Sequence, residues 1–250
     1  MCVIGGYILD NVNCDIVLQQ EKNGLKYGTD AYLLHAFMPK SSKASVCEGG
    51  CGSGIISLLL LKNGKCLNTL CIDVQDSSCE IAKNNALANG LGDRMTVICT
   101  DVLDYKPERE FDAFVCNPPY MKENSGKANA YTEKYIARHE TTADIGGFAA
   151  CAYRTIKDGA GAYFVYRPDR CADIIYALKQ NRLEPKVLTF VHATSQHEPC
   201  LMLIKAKKNA QSGMIVTKPL IIYDDKTGGE YSRDMKYIYE NGMFPDGFFR

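Results

Sequence analysis

The chain has no C-x-x-C pair anywhere in its 250 residues. Cysteine pairs at that spacing are the usual mark of a zinc site, so a metal cluster is not the expected use of its cysteines. The four histidines, His35, His139, His192 and His197, are scattered rather than grouped with other ligands. No apolar run approaches the roughly 18 residues of a membrane-spanning helix, so no membrane span is expected. The opening stretch "MCVIGGYILDNVNCD" lacks the basic start and small-residue cleavage site of a secretory leader. Net charge is missing too, because 29 basic residues balance 29 acidic ones. A neutral chain has no overall pull on a polyanion, and any nucleic-acid contact must come from a local basic patch.

What is present is ample apolar material. The chain is 46% hydrophobic and 23% charged, enough for one large domain or a core domain with terminal additions. Several of the 12 cysteines sit inside apolar runs: Cys47 in "ASVCEG", Cys71 in "TLCIDV", Cys99 in "TVICTD" and Cys116 in "FVCNPP". There they read as small buried hydrophobes, and buried free thiols fit a reducing cytosol.

The middle of the chain alternates short apolar runs with amphipathic ones. "ASVCEGG" reads as a strand running into glycines, followed by a helix in "GIISLLLLKNG" that Gly64 stops. "NTLCIDV" is a second strand, and "DSSCEIAKNNALANG" a helix with an Asp or Ser cap and Gly90 as its stop. "RMTVICTD" and "FDAFVCN" are strands three and four. A helix in "ADIGGFAACAYRTIKDG", ending at Gly159, leads to strand five in "GAYFVYR". A helix in "CADIIYALKQN" leads to strands six and seven in "PKVLTFVHA" and "CLMLIKAKK". Such alternation predicts an α/β fold with a mostly parallel sheet and helices on both faces. Two final strands without a helix between them predict that the last is antiparallel. Residues 1–43 and 208–250 read as extensions packed on a core at 44–207.

Two stretches carry chemistry. "VCEGGCGSG" places Glu48, Gly50, Gly52 and Gly54 at a strand-to-helix turn, where glycine lets a ligand approach the backbone. The spacing is not the G-x-G-x-x-G of dinucleotide binding. Asp73 ends the second strand and Asp101 the third. Ligands of open α/β sheets bind beyond the C-terminal strand ends, so the three carboxylates should face one crevice. Asp73 suits ribose hydroxyls, Asp101 an exocyclic adenine amine, and Glu48 an ammonium.

The fourth strand ends in "NPPY", residues 117–120, beside the same crevice. The lone pair of a planar NH2 group is conjugated and nucleophilically poor. Acceptors aimed at its two hydrogens favour pyramidal geometry and free that lone pair. The Asn117 side chain and the Pro118 carbonyl can accept, Pro118 and Pro119 stiffen the turn, and Tyr120 offers a stacking face. The same chemistry fits an adenine amine in RNA or DNA and the carboxamide of a protein glutamine.

In this order "EGGCGSG", "CIDV", "TD" and "NPPY" resemble the class I S-adenosylmethionine-dependent methyltransferases that modify planar amino groups. "KYGTDAYLLHAF" before the glycine turn and "ARHE" after the proline motif narrow the likeness. Both resemble bacterial methyltransferases acting on the 6-amino group of an adenine in the anticodon loop of valine tRNA. The tail "GEYSRDMKYIY" is similar to the C-terminal segment of Gram-positive members. The resemblance implies a Rossmann-like, seven-stranded sheet with the last strand reversed, S-adenosylmethionine as donor and tRNA as partner. By position it implies cofactor contacts from Gly28, Thr29, Asp30, Glu48, Gly50, Gly52, Asp73, Asp101 and Asn117. It implies catalytic roles for Asn117, Pro118, Pro119 and Tyr120. No metal is called for. Phosphate contacts would come from Lys122, Lys127, Lys134 and Arg138 after the motif, and from Lys205, Lys207 and Lys208 at the end of the last strand. "KENSGKANAYTEKYIARHE" reads as a loop that orders over substrate.

Overall fold

The structure is a computed structural model and describes residues 2–4, 7–12, 16–21, 28–118, 144–224 and 229–249. Three N-terminal strands, β1 (Cys2–Ile4), β2 (Tyr7–Val12) and β3 (Ile16–Glu21), form a small antiparallel sheet. Helix α1 (Thr29–Phe37) precedes the alternating core. The core runs β4 (Ser45–Gly49), α2 (Ile55–Lys62), β5 (Asn68–Asp73), α3 (Asp76–Ala88), β6 (Met95–Cys99) and β7 (Phe111–Cys116). It continues with α4 (Ile145–Thr155), β8 (Ile156–Tyr166), α5 (Cys171–Gln180), β9 (Leu183–His192) and β10 (Pro199–Lys208). The short strands β11 (Ile215–Val216) and β12 (Leu220–Ile221) and helix α6 (Arg233–Asn241) follow.

The core strands lie in the order β6-β5-β4-β7-β8-β10-β9, and β10 runs antiparallel to both neighbours. Crossover connections, helical except for the turn-rich stretch 100–110 between β6 and β7, keep β4 to β8 parallel, whereas the short helix-free return from β9 to β10 reverses direction. This is the seven-stranded sheet that the alternation predicts. β11 and β12 add parallel to the outer edge of β9, so part of the C-terminal extension is woven into the sheet.

Side-chain alternation along the strands builds two cores. Val46, Cys71, Val115, Val165 and Leu203 face the helices α1, α2, α3 and α6. Their neighbours Cys47, Ile72, Phe114, Phe164 and Ile204 face α4 and α5. Both faces being covered explains why the strands read as continuous apolar runs. Phe114 is fully buried against Phe164, and a phenylalanine so placed holds about 3–5 kcal/mol against truncation.

One cap and one boundary differ from the sequence reading: α3 is preceded by Gln75 with no side-chain cap bond, and Asp76 stands inside its first turn instead of capping it. Helix α4 stops at Thr155 rather than at Gly159, because Ile156 turns extended at φ −99° and ψ 155° and pairs with Phe111. Gly159, at φ 74°, lies in the irregular stretch before the Ala113–Gly161 pair. The glycine serves a bulge inside β8, not a helix stop.

The extensions are tied to the core by specific bonds. Asn85 and Asn89 sit one turn apart on α3 and read β3 as a strand would. The Asn85 Oδ1 accepts from Gln19 N at 2.7 Å while its Nδ2 donates to Gln19 O at 3.0 Å. Asn89 does the same for Val17, at 3.0 and 2.7 Å. Helix α1 is held at its far end by Lys65, whose buried Nζ donates to the carbonyls of His35, Ala36 and Met38 at 2.7, 3.1 and 2.7 Å. These are the carbonyls that a helix C-terminus leaves unpaired.

Candidate active site

The register of the sheet assembles the site. Gly49 pairs with Ile72 on one side and with Cys116 on the other. The residues just beyond them therefore reach the same edge of the sheet, the one at which the strand order switches direction between β4 and β7. They are Gly50, Asp73 and Asn117.

The turn after β4 is built from glycine of necessity. Gly50, Gly52 and Gly54 have φ of 68°, 53° and 77°, the left-handed region that side chains rarely adopt. Their surroundings differ. A Cβ on Gly54 would stand 2.3 Å from Met95 Cε, while one on Gly52 would meet nothing within 4 Å. Gly54 is thus a packing glycine, and Gly52 borders open space. The turn is fixed from three directions. Gly50 N and Cys51 N donate to Ile72 O at 2.8 and 3.0 Å. Gly52 N donates to Asp73 Oδ2 at 2.8 Å. Asn85 Nδ2 donates to Ser53 O at 2.9 Å, so the same side chain braces β3 and the turn.

The three strand-end acids occupy different environments. Asp73 is 7% exposed, and its Oδ1 accepts from Gln75 N at 3.0 Å. Burial holds its carboxyl above the usual range, against the backbone N–H bonds that pull it down. Glu48 lies beneath the turn on the α2 side, 1% exposed. Its Oε2 accepts from Ser57 N at 3.0 Å and Ser57 Oγ at 2.5 Å, and Oε1 has no hydrogen-bond partner. Burial pushes this carboxyl up to about 7, outweighing the Ser57 bonds. Asp101 is the most open of the three and closes a turn after β6, its Oδ1 accepting from Leu103 N at 2.8 Å.

Asn117 emerges on the face that α1 covers. Its Nδ2 donates to Asp30 Oδ2 at 2.8 Å, joining residues 87 positions apart. Gly28 and Thr29 start the same helix, which runs against the strands with its N-terminus at the site edge. Pro118 is buried beside Asn117. Pro119, Tyr120, Lys122, Lys127, Lys134 and Arg138 lie outside the described residues, as do His139 and Glu140.

The expected basic rim on the last strand is not at this edge. Because β10 runs antiparallel, Lys207 and Lys208 approach the opposite edge, where β7 and β8 begin, while Lys205 pairs with Tyr163 in mid-sheet, level with Val115 and Glu48. Lys208 is 8% exposed, donates to Ile156 O at 2.7 Å and faces Glu110 and Asp158 at 3.6 and 3.7 Å. Lys205 lies over the Tyr163 ring, 5.5 Å from its centre. Lys208 thus ties the far edge of the sheet. Three site-bracing residues escape a reading by motif: Lys65, Asn85 and Ser57. Asn85 alone leaves a trace in the sequence, as an amide in a helix whose other inward positions are apolar.

Among the described residues no group of histidines, cysteines and acids could hold a metal ion, and no helix is long and apolar enough to cross a membrane. The ten cysteines whose side chains are described are free and seven are buried, Cys47, Cys71 and Cys116 among them; Cys99 is exposed on the edge strand β6, against the reading of its apolar run as buried.

Such a sheet, with its ligand edge at the switch between β4 and β7 and its last strand reversed, defines a Rossmann-like α/β fold of the methyltransferase class. The crystal structure of a predicted O-methyltransferase from Agrobacterium tumefaciens shares it, with a TM-score of 0.68 at 18% identity over 85% of this chain and 96% of that one. The family model for the methyltransferase small domain matches residues 22–149, just over half of the sequence, and the chain belongs to that family. It is also similar to proteins named tRNA1(Val) (adenine(37)-N6)-methyltransferase. The one from Vibrio parahaemolyticus is 28% identical over 144 residues, an alignment spanning 58% of this chain and only 59% of that relative. The one from Phocaeicola vulgatus is 29% identical over 226 residues, covering 88% of this chain and 93% of that relative.

Proposed function

We propose that this protein transfers a methyl group from S-adenosylmethionine to the 6-amino group of an adenine in tRNA, the acceptor that the names of its relatives give. The observation that carries this reading is the in-register Gly49–Cys116 pair. It sends Gly50 and Asn117 out of adjacent strands, about 5 Å apart in the sheet, so the donor's cradle and the acceptor's amide share one edge.

The crevice suits that donor. Its sulfonium and ammonium are cationic, and Glu48 offers a buried carboxyl oxygen without a partner. Gly52 leaves open the space where a side chain would stand. Asp73 accepts two backbone bonds and keeps further lone pairs for hydroxyls. Gly28, Thr29, Glu48, Gly50, Gly52, Asp73 and Asp101 would hold the donor, which supplies an electrophilic methyl when bound.

The chain's own groups act on the acceptor. Asn117 Oδ1 and the Pro118 carbonyl accept from the amine's two hydrogens and draw it out of conjugation. Positioning of amine against methyl supplies most of the rate. A base in structured RNA must leave its stack to reach this edge, and Tyr120 is the face assigned to receive it. The buried free thiols support a reducing cytoplasm as the setting for this work.

Asn117→Ala should lower turnover about 100- to 1,000-fold with cofactor affinity nearly unchanged, the usual loss for one preorganised polar group. Labelled donor with either total tRNA or translation termination factors separates adenine from glutamine as acceptor. Label in protein and none in tRNA would replace the RNA reading with the protein one.

A further inference from the structure

The amide of Asn117 has two ends of nearly equal shape and opposite chemistry. Accepting from a substrate amine requires the oxygen end to face the crevice. Nothing in the proline motif itself settles which end does so. The 2.8 Å contact with Asp30 settles it. A carboxylate only accepts, so the amide nitrogen must face Asp30 and the oxygen must turn the other way.

Asp30 is in turn held in place. Its Oδ1 accepts from Ala31 N at 2.9 Å. A Cβ on Gly28 would come within 2.8 Å of that same oxygen, so the glycine leaves room for this rotamer. The helix behind Asp30 is fixed at its other end by Lys65 and along its side by the Tyr32 hydroxyl, which donates to Tyr239 O at 3.1 Å. The contact is also polarising. An amide N–H that donates to an anion shifts electron density toward its own carbonyl oxygen and makes that oxygen a better acceptor.

We propose that Asp30 is a positioning residue for Asn117: it sets the orientation of the amide and strengthens the oxygen that receives the acceptor amine. This rests on the reading that Asn117 receives that amine. It also gives Asp30 a duty other than the cofactor contact that the family resemblance implies.

The test is a double-mutant cycle of the full-length protein, with turnover on tRNA and cofactor affinity by calorimetry. Asp30→Ala should lower kcat about 10- to 100-fold while KM for tRNA and Kd for cofactor stay within about twofold. Asp30→Asn should recover part of that loss, because its oxygen can still accept from Asn117. In an Asn117→Ala background, Asp30→Ala should have no further effect on residual single-turnover rates. A full and independent loss in that background would overturn the proposal, as would a loss confined to cofactor affinity or to thermal stability. Full turnover in Asn117→Ala alone would bring down the functional reading itself. Loss in Asn117→Ala with normal kcat in Asp30→Ala would remove only this inference.

Discussion

Glu48→Gln should change how stability responds to pH. Glu48 is a buried carboxyl whose ordinary value of 4.5 is pushed up to about 7 in the folded protein. Between those values the folded state holds a proton that the unfolded state has released. Stability therefore falls as pH rises through this window, and the full cost is present above about 7. At 1.36 kcal/mol per pH unit, the cost grows from about 1 kcal/mol near pH 5 to about 3 near pH 8, a swing of roughly 2.5 kcal/mol. Glutamine cannot ionise and escapes the swing. Its NH2 would occupy the place of an oxygen that has no partner, which adds a cost of about 1–3 kcal/mol that does not vary with pH. Urea unfolding of both proteins near pH 5 and pH 8 isolates the term, because every other carboxylate cancels in the difference. The variant should gain about 2 kcal/mol on the wild type between the two conditions. A difference that stays constant would mean that Glu48 is not a desolvated acid, and the case for an unpaired carboxylate awaiting a cationic ligand would go with it.

The two turn glycines should separate stability from binding. Gly54→Ala displaces the end of the buried Met95 side chain and crowds Ala82 Cβ at 3.3 Å, and should lower the melting temperature more than Gly52→Ala, whose Cβ meets nothing within 4 Å. Gly52→Ala should cost only about 1–2 kcal/mol of backbone strain and instead weaken cofactor binding, read by calorimetry. Asn85→Ala removes the partners of Gln19 N, Gln19 O and Ser53 O, and hydrogen exchange at Gln19 should accelerate with a loss of about 2–3 kcal/mol in stability. Lys208→Ala should cost about 1–3 kcal/mol by leaving Ile156 O unpaired, with KM for tRNA unchanged; a raised KM would return this lysine to the RNA surface.

The parts of this protein legible in its sequence are those whose signal is local. Most of strands β4 to β10 announce themselves because both faces are covered and the runs are apolar; the edge strand β6 reads the same although Thr96, Ile98 and Cys99 are exposed. Glu48, Gly50 and Gly52 sit in one nine-residue stretch, and Asp73 and Asp101 follow strand ends that periodicity finds. The place of Lys207 and Lys208 is not legible in the strand's own sequence, because it depends on the strand's direction. In an antiparallel strand the chain's last residues arrive at the edge where its neighbours begin. Lys65 was illegible for another reason. In "KNGKCLN" it looks like any loop lysine, and only the folded chain shows it buried beneath the end of α1. The Asp30–Asn117 bond spans 87 positions, and neither residue's neighbourhood hints at the other.

Lys65 also shows how far the site extends beyond the alternating core. Burial and the nearby Lys40 push its ammonium down to about 7, so keeping it here is costly. Three carbonyls at a buried helix end would otherwise go unpaired, at about 1–3 kcal/mol each, and the negative end of the helix favours a cation. The cation and the helix end offset each other's penalty, and the result is a short helix that cannot fray at its C-terminus. That matters at its N-terminus. The nine-residue α1 carries Asp30 in its first turn and the Lys65 clamp at its last, and Asp30 fixes the amide of Asn117. Precision at the amide is therefore inherited from a lysine at the opposite edge of the sheet, through a helix that precedes the first core strand. The N-terminal extension is, in this sense, part of the active site rather than an addition to it.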